Sequence, residues 1–265
     1  MDIKTQIVAT IGPATKDKEM IKSLIESGMR VARLNFSWGT YDEHKSYIEN
    51  IRTVASELGI HVPIIQDLSG PRVQNGGSHG FDQSSVSPLT DKDLEDLAFG
   101  IQEGVEYVAL SFVGDASHVK LLRSHMEKLG KVVPIIAKIE RAEALENIDA
   151  IVEEAQAVMI ARGDLGNELP LAKIPFIEKD IIAICKKKGK PVIVATQVLL
   201  SMTENPVPTR AEMTDVVYAV LEGTDAIMLS DETTTGKYPK EAVHMMALGI
   251  KEAEAHLKEV QINSL

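Results

Sequence analysis

The chain has 265 residues, of which 44% are hydrophobic and 25% charged, a composition typical of a soluble globular domain. Its net charge of −11 argues against nucleic acid or an anionic membrane as a partner, so an anionic ligand would need a local cationic site. The single cysteine excludes an internal disulfide. With no signal-like segment after Met1 and no apolar run of membrane-spanning length, we expect a cytoplasmic protein.

Eight apolar, strand-like runs alternate with eight amphipathic helical segments. Such a repeat predicts an α/β protein with a (β/α)8 TIM barrel, here a single barrel domain over residues 1–265. The apolar runs are continuous, which is typical of parallel strands buried on both faces. The predicted strands are 6–12, 31–36, 62–67, 107–112, 133–140, 157–162, 191–197 and 226–230. The predicted helices are 17–28, 42–59, 91–104, 115–130, 141–155, 175–189, 209–223 and 239–258.

One segment interrupts the alternation of strands and helices. Residues 75–88, after the third strand, are rich in glycine and serine and show no hydrophobic period. This composition predicts a short flexible loop. Because the loop would lie on the C-terminal side of the barrel, a role as a mobile lid is the alternative.

Polar residues stand at the C-terminal ends of nearly all the predicted strands. In a (β/α)8 barrel these ends line the active site. A lone strand-end charge is usually half of a solvated ion pair, but a whole set of polar strand ends indicates a site. The set consists of Arg33, Asn35, Ser37, Asp67, Ser111, Lys138, Glu140, Asp164, Thr196, Gln197, Ser230, Asp231 and Glu232.

Three charged residues of this set predict chemistry on a small anion. Lys138 and Glu140 are two residues apart on one strand, so their side chains point to the same face. Glu140 and Asp164 offer hard oxygen ligands suited to Mg²⁺ or Mn²⁺, and the scattered histidines do not predict zinc. Lys138 beside the metal would stabilise negative charge or move a proton.

Other strand ends suggest further ligands. Arg33 can form a forked contact with a carboxylate or phosphate. Asn35, Ser37 and Asp67 offer oxygens to a monovalent cation. Gly163 begins a predicted turn whose backbone N–H groups can meet an anion.

Taken together, the motifs resemble the barrel domain of pyruvate kinase over nearly the whole chain, and their order and spacing make the resemblance specific. The motifs are IVATIGPAT at 7–15, GMRVARLNFSWGTYDEH at 28–44, DLEDLAFGIQEGVEYVALSFV at 93–113, AKIERAEALENID at 137–149, MIARGDLGNELP at 159–170, KPVIVATQVLLSM at 190–202, PTRAEMTDV at 208–216 and IMLSDETTTGKYPKEAV at 227–243.

The resemblance implies roles for the strand-end residues. Glu140 and Asp164 would hold the divalent metal that bridges phosphoenolpyruvate or pyruvate. Lys138 would stabilise the transferring phosphoryl group and the enolate. Thr196 would contact the substrate carboxylate or assist protonation, and Arg33 would contact phosphate.

The resemblance also implies a monovalent cation site. A potassium site would be formed by Asn35, Ser37, Asp67 and the carbonyl of Leu68. The other candidates are the remaining polar residues at the strand ends and the glycine of the predicted turn. They are Gly163 and Ser111 for the substrate, and Gln197, Ser230 and Glu232 as secondary positions.

The chain departs from the family pattern on the nucleotide side. Family members insert a capping domain where residues 75–88 stand and carry a C-terminal regulatory domain for which we expect no counterpart here. Gln74 replaces a phosphate-contacting arginine, Gly114 replaces another arginine, and Trp38 replaces a histidine.

Three functions follow as alternatives. The first is a Mg²⁺-dependent enzyme that binds pyruvate or phosphoenolpyruvate and forms or protonates a metal-bound pyruvate enolate. Such an enzyme could catalyse an aldol, decarboxylase or tautomerase reaction, and its second substrate could be a nucleotide or a carbonyl acceptor. The second is pyruvate kinase proper, a transferase that moves a phosphoryl group from phosphoenolpyruvate to ADP, with low turnover. The third is a non-catalytic metabolite-binding barrel. A homodimer or homotetramer is expected.

Overall fold

The computed structural model describes residues 3–75, 78–82, 84, 85 and 87–263, and of residues 74, 75, 78, 79 and 261–263 only the backbone is described. Eight parallel strands close a barrel in the order β1-β10-β9-β8-β7-β6-β3-β2, which confirms the predicted (β/α)8 fold. All eight predicted strands are present. The strands are β1 Gln6–Thr10, β2 Met29–Asn35, β3 Ile64–Asp67, β4 Arg72–Asn75, β5 Ser78–Phe81, β6 Tyr107–Leu110, β7 Ile135–Ile139, β8 Ala157–Ala161, β9 Val192–Ala195 and β10 Ala226–Leu229.

Each predicted helical segment contains a helix, and segment 141–155 divides into two. The structure adds two short helices, α7 and α10, that the sequence analysis did not predict. The helices are α1 Lys18–Ser27, α2 Tyr41–Glu57, α3 Asp91–Glu103, α4 Ala116–Lys128, α5 Ala142–Glu146, α6 Ile148–Glu154, α7 Arg162–Glu168, α8 Ile174–Lys187, α9 Arg210–Glu222, α10 Asp231–Thr234 and α11 Pro239–Asn263. None of these described helices combines the length and apolar character needed to cross a bilayer.

The chain divides into two compact units. The first unit comprises the described parts of Met1–Arg33, Lys45–Val62 and Ile193–Leu265, and the second comprises those of Leu34–His44 and Pro63–Val192. In the second unit, every residue of β7 and β8 is buried. Charged side chains carried by these strands are therefore taken out of water.

A two-stranded antiparallel hairpin begins where the flexible loop over 75–88 was predicted. Strand β4 pairs with β5, and Arg72 lies opposite Phe81. The pairing of Asn75 with Ser78 leaves Gly76-Gly77 between the two strands, and a glycine pair is typical of a two-residue hairpin connection, so the sequence contained a signal that the composition of the loop obscured. Residues 76, 77, 83 and 86 of the predicted loop lie outside the described residues.

The turn that leads into the hairpin is fixed from two sides. Gly70 has φ +65°, and an added Cβ would lie 2.9 Å from the Phe112 ring, so glycine is required there. The Gly70 N–H donates to Asp93 Oδ1 over 3.0 Å. Asp93 also forms a capping box with Thr90 at the start of α3, where a helix start was predicted.

Helix α7 is anchored by a buried ion pair. The Nη1 atom of Arg162, the first residue of α7, lies 3.2 Å from Oε2 of Glu178 in α8. The two side chains are only 10% and 2% exposed. Because the next residues of α7 include Asp164, this pair positions a predicted metal ligand.

The Glu178→Ala substitution is expected to lower the free energy of unfolding by about 3 kcal/mol, because the buried Arg162 guanidinium group loses the carboxylate of its ion pair. Urea denaturation measures the change. The matched Arg162→Met/Glu178→Leu double variant should recover most of the loss, since it removes both charges. A single variant that costs less than about 1 kcal/mol would show that the pair does not anchor α7.

Candidate active site

The second unit holds a buried cluster around Lys138 of β7. The Lys138 Nζ lies 3.0 Å from Asp67 Oδ1, 3.0 Å from Glu140 Oε1 and 2.7 Å from Ser111 Oγ. The Lys138 side chain is 6% exposed, and those of Asp67 and Glu140 are 1% and 2% exposed. Two carboxylates and a hydroxyl thus compensate the desolvation of the ammonium group.

Ser111 connects this cluster to the end of β3. Its hydroxyl accepts a hydrogen bond from Lys138 and donates one to the Leu68 carbonyl over 2.7 Å. The side chain was predicted to bind substrate. In the structure its hydroxyl orients the Lys138 ammonium, and a substrate contact remains a prediction.

Glu140 follows β7 and points to the same side as Lys138, as the strand period predicted. Its Oε2 accepts a hydrogen bond of 2.6 Å from the Phe112 N–H. Burial raises the pKa of Glu140, and the carboxylates of Asp164 and Asp67 raise it further. The Lys138 ammonium and the Phe112 N–H oppose the rise in this pKa.

Phe112 reaches Glu140 from a strained backbone. Its φ is +53°, in the left-handed region that bulky residues rarely adopt. The conformation aims a backbone N–H at a carboxylate, and such strain is concentrated at functional positions. The sequence analysis did not identify Phe112, because a backbone donor carries no side-chain signature.

Asp164 lies in the first turn of α7. The residues after Gly163 were predicted as a turn, and the structure corrects this to a seven-residue helix that begins at Arg162. Burial raises the pKa of Asp164. The Lys138 ammonium, the Arg72 guanidinium and a hydrogen bond with Glu140 lower the same pKa.

The charges of this cluster suit a divalent cation. Three carboxylates, Asp67, Glu140 and Asp164, share the Lys138 ammonium, so negative charge is in excess before Arg72 is counted. A cation between Glu140 and Asp164 would offset the burial of their charges, which is the main cause of both raised pKa values, and would also oppose the repulsion from Asp164 that raises the pKa of Glu140. Within the described ranges no group of three or more His, Cys, Asp and Glu side chains is arranged as a complete metal cage. A pair of carboxylates is nevertheless what Mg²⁺ usually takes from a protein, with substrate oxygens and water as its other ligands.

The residues predicted to bind potassium also lie in the second unit. Asn35 Oδ1 accepts a hydrogen bond from the Ser37 N–H over 3.1 Å. The buried Ser37 Oγ has no hydrogen-bond partner among the described residues. An unsatisfied hydroxyl oxygen near a carboxamide fits a monovalent cation, while Asp67 and the Leu68 carbonyl are engaged with Lys138 and Ser111.

Arg33 belongs to the first unit. Its side chain is buried, and its Nη1 donates to Thr10 Oγ1 over 3.1 Å. Thr10 in turn donates to the Leu229 carbonyl over 2.8 Å. Thr10 therefore orients Arg33, a role that the sequence analysis did not predict.

Thr196 and Gln197, also in the first unit, follow β9 in a strained turn. Their φ values are +67° and +53°, which is unfavourable for a β-branched threonine. Glu232 holds the next part of this segment, since its Oε1 accepts from the Leu199 N–H over 3.0 Å and its Oε2 accepts from the Ser230 N–H over 2.8 Å. The structure therefore gives Glu232, a secondary candidate, a positioning role.

The chain belongs to the pyruvate kinase family. It matches the family model described as "Pyruvate kinase, barrel domain" over residues 3–87 and 79–243. The two matched segments overlap over residues 79–87, which include the end of β5.

Curated relatives agree with this assignment. The chain is 37% identical to a pyruvate kinase of Mycobacterium tuberculosis, with 93% of this chain and 69% of the relative aligned. It is also 37% identical to the pyruvate kinase of Thermococcus litoralis, over 99% of this chain and 72% of the relative. The second alignment covers 342 positions, more than the 265 residues of this chain, so the relative has residues without a counterpart here.

The stability contribution of Glu232 is expected to depend on pH. Burial raises the pKa of Glu232, so the folded state binds its proton more tightly than the unfolded state, whose pKa is near 4.5. Stability from this group is therefore complete below about pH 4.5 and is lost as pH rises through the higher folded-state pKa.

Denaturation of the wild type and the Glu232→Gln variant at several pH values tests this expectation. The unfolding free energy of the wild type should fall relative to that of the variant as pH rises from about 4 upward. A difference that is constant with pH, or one that moves in favour of the wild type, would contradict the account.

Proposed function

We propose that this chain is a Mg²⁺-dependent enzyme that binds phosphoenolpyruvate and pyruvate, and that it transfers a phosphoryl group between phosphoenolpyruvate and ADP. The observation that supports the proposal most is the buried Lys138 ammonium held between Asp67 and Glu140. The comparisons favour phosphoryl transfer over the enolate or lyase chemistry expected first, because the relatives are named pyruvate kinases.

Glu140 and Asp164 would hold the metal ion, for which Mn²⁺ is a substitute. When bound, the ion would neutralise charge on the substrate and help to orient it. The two carboxylates are hard donors at strand and helix ends, and burial makes their unneutralised charges costly. Gly163, next to Asp164, is proposed to contribute its backbone to the substrate site.

Lys138 is proposed to stabilise negative charge on the substrate. The three polar partners fix its ammonium in one place, so little reorganisation is needed when charge develops at the enolate oxygen or on the phosphoryl group. The low local dielectric strengthens this interaction. Arg33 is proposed to bind a phosphate oxygen, and its Thr10 contact would orient the guanidinium group.

Thr196 is proposed to assist protonation of the enolate carbon or to bind the substrate carboxylate, on the strength of the ATQ motif. Its positive φ supports this proposal, because a β-branched residue is kept in that conformation only at a cost. Ser111, Gln197 and Ser230 are also proposed to contact the substrate.

A potassium ion is proposed at Asn35, Ser37, Asp67 and Leu68. The unsatisfied Ser37 hydroxyl supports the site. Removal of K⁺ should lower activity without unfolding the protein, since Asp67 is also held by the Lys138 ammonium group.

A second candidate is enolate chemistry without a nucleotide, in which the enolate of pyruvate reacts with a proton or a carbonyl acceptor. The observation that favours it is that Lys138, Glu140 and Asp164 lie together in the second unit. Gly114 offers no side chain for a nucleotide, and the side chain of Gln74 lies outside the described residues.

Two assays on the full chain distinguish these functions. The first measures pyruvate formed from phosphoenolpyruvate and ADP with Mg²⁺ and K⁺. The second follows exchange of the pyruvate methyl protons in D₂O by NMR. Activity in both supports the proposal, whereas exchange alone supports the enolate candidate. If neither occurs and no substrate shifts the melting temperature, a non-catalytic scaffold remains.

The Lys138→Met variant should reduce either activity by about 100-fold or more, because it removes the fixed charge. The Lys120→Met variant is the matched control, since it removes an exposed lysine of α4 and should be unchanged. Equal activity in wild type and Lys138→Met would contradict the assignment of Lys138.

The Thr196→Val variant should slow exchange of the pyruvate methyl protons, whereas Thr196→Ser should retain it, because only serine keeps the hydroxyl group.

A further inference from the structure

We propose that Arg72, at the start of the β4–β5 hairpin, is a specificity-determining residue that binds the phosphoryl group of phosphoenolpyruvate on the Phe112 side of Glu140. This inference rests on the proposed function. It adds a residue that the sequence analysis did not select and assigns the hairpin a part in substrate choice.

The first argument is the position of the guanidinium group. Its carbon lies 5.8 Å from the centroid of the Phe112 ring. The backbone N–H of the same Phe112 donates to Glu140 over 2.6 Å. Phe112 therefore lies between Arg72, which is near its ring, and Glu140, the proposed metal ligand that its backbone N–H contacts.

The second argument is that the backbone holds Arg72 in place. The Arg72 Nε donates to the Ser69 carbonyl over 3.0 Å, which fixes the plane of the guanidinium group. The preceding turn is locked by Gly70, whose N–H is bound by the buried Asp93. The Asp82 N–H donates to the Pro71 carbonyl over 3.0 Å and closes the base of the hairpin. An anion site benefits from such preorganisation.

The third argument is the charge that Arg72 leaves unmatched. In the part of the chain that the structure describes, no carboxylate lies within ion-pair distance of Arg72, and its side chain is half-buried. The neighbouring Arg141 is different. Its guanidinium group is 3.7 Å from the centroid of the Phe81 ring and is paired with Glu143, so its charge is already balanced.

The fourth argument is chemical. The guanidinium group of Arg72 would weaken the binding of a divalent metal ion nearby, because like charges repel. It suits a ligand that carries more negative charge than the metal neutralises. A phosphoryl group is a dianion with oxygens that match the two remaining nitrogens of the guanidinium group. Pyruvate has one carboxylate and would gain little from Arg72.

Calorimetric titration of the full chain with Mg²⁺ and K⁺ tests this role. The titrated ligands are phosphoenolpyruvate, pyruvate and Mg²⁺ alone, and the variants are Arg72→Met, Arg72→Lys and the control Lys120→Met. We expect Arg72→Met to weaken phosphoenolpyruvate binding about tenfold or more and to change pyruvate binding less than twofold. Arg72→Lys should lie between wild type and Arg72→Met, because it keeps the charge and loses the fork.

Binding of Mg²⁺ alone separates this role from a structural one. Loss of Arg72 should leave it equal or stronger, whereas a merely structural role would weaken all three ligands together. Equal losses for phosphoenolpyruvate and pyruvate, or no loss for either, overturn the role of Arg72 and leave the proposed function intact. A wild type that binds neither ligand overturns the proposed function and this inference with it.

Discussion

The buried Lys138 ammonium is the interaction on which the rest of this structure depends. Removing it from water is tolerable only because Asp67, Glu140 and Ser111 surround it. These partners come from three neighbouring strand ends, β3, β6 and β7, so the parallel register of the second unit determines whether the cluster forms. The same register places negative charge in excess beside a fixed cation. Folding and the proposed chemistry therefore share one set of contacts.

Backbone strain occurs after strand ends in both units. Phe112, Thr196 and Gln197 adopt positive φ values within two residues of the end of β6 or β9, where polar strand ends were predicted. Each such residue costs of order 1–3 kcal/mol and persists only when its surroundings hold it. Phe112 gains a hydrogen bond to Glu140, and Glu232 holds the segment after Gln197. The stable parts of each unit thus support conformations that a free chain would avoid.

Much of the fold could be predicted from the sequence, because continuous apolar runs of strand length and amphipathic helices alternate eight times. Lys138 and Glu140 could also be placed on one face, since the period of a strand is fixed by its geometry. The hairpin was missed because glycine and serine conceal the strand-forming residues around Asn75. Helix α7 was missed because two glycines in seven residues are unfavourable in a helix, and the Arg162–Glu178 pair that anchors it is not local.

Roles carried by backbone groups were beyond prediction from side-chain types. The Phe112 N–H, the Ser69 carbonyl and the Leu199 N–H each select the orientation of a charged side chain. Arg72 was overlooked for a related reason, since its hydrogen bond to the Ser69 carbonyl depends on a turn fixed by Gly70 and Asp93. Conversely, Glu232 was selected for its charge, and its contacts show a positioning residue.

The central claim is that Glu140 and Asp164 hold a divalent cation beside Lys138. A crystal structure of the full chain with Mn²⁺ and pyruvate tests it most directly, because the anomalous signal of manganese locates the ion without reference to the protein. The account predicts one strong peak within coordination distance of both carboxylates, with pyruvate oxygens among its other ligands. A peak elsewhere, or none at saturating Mn²⁺, would contradict the account.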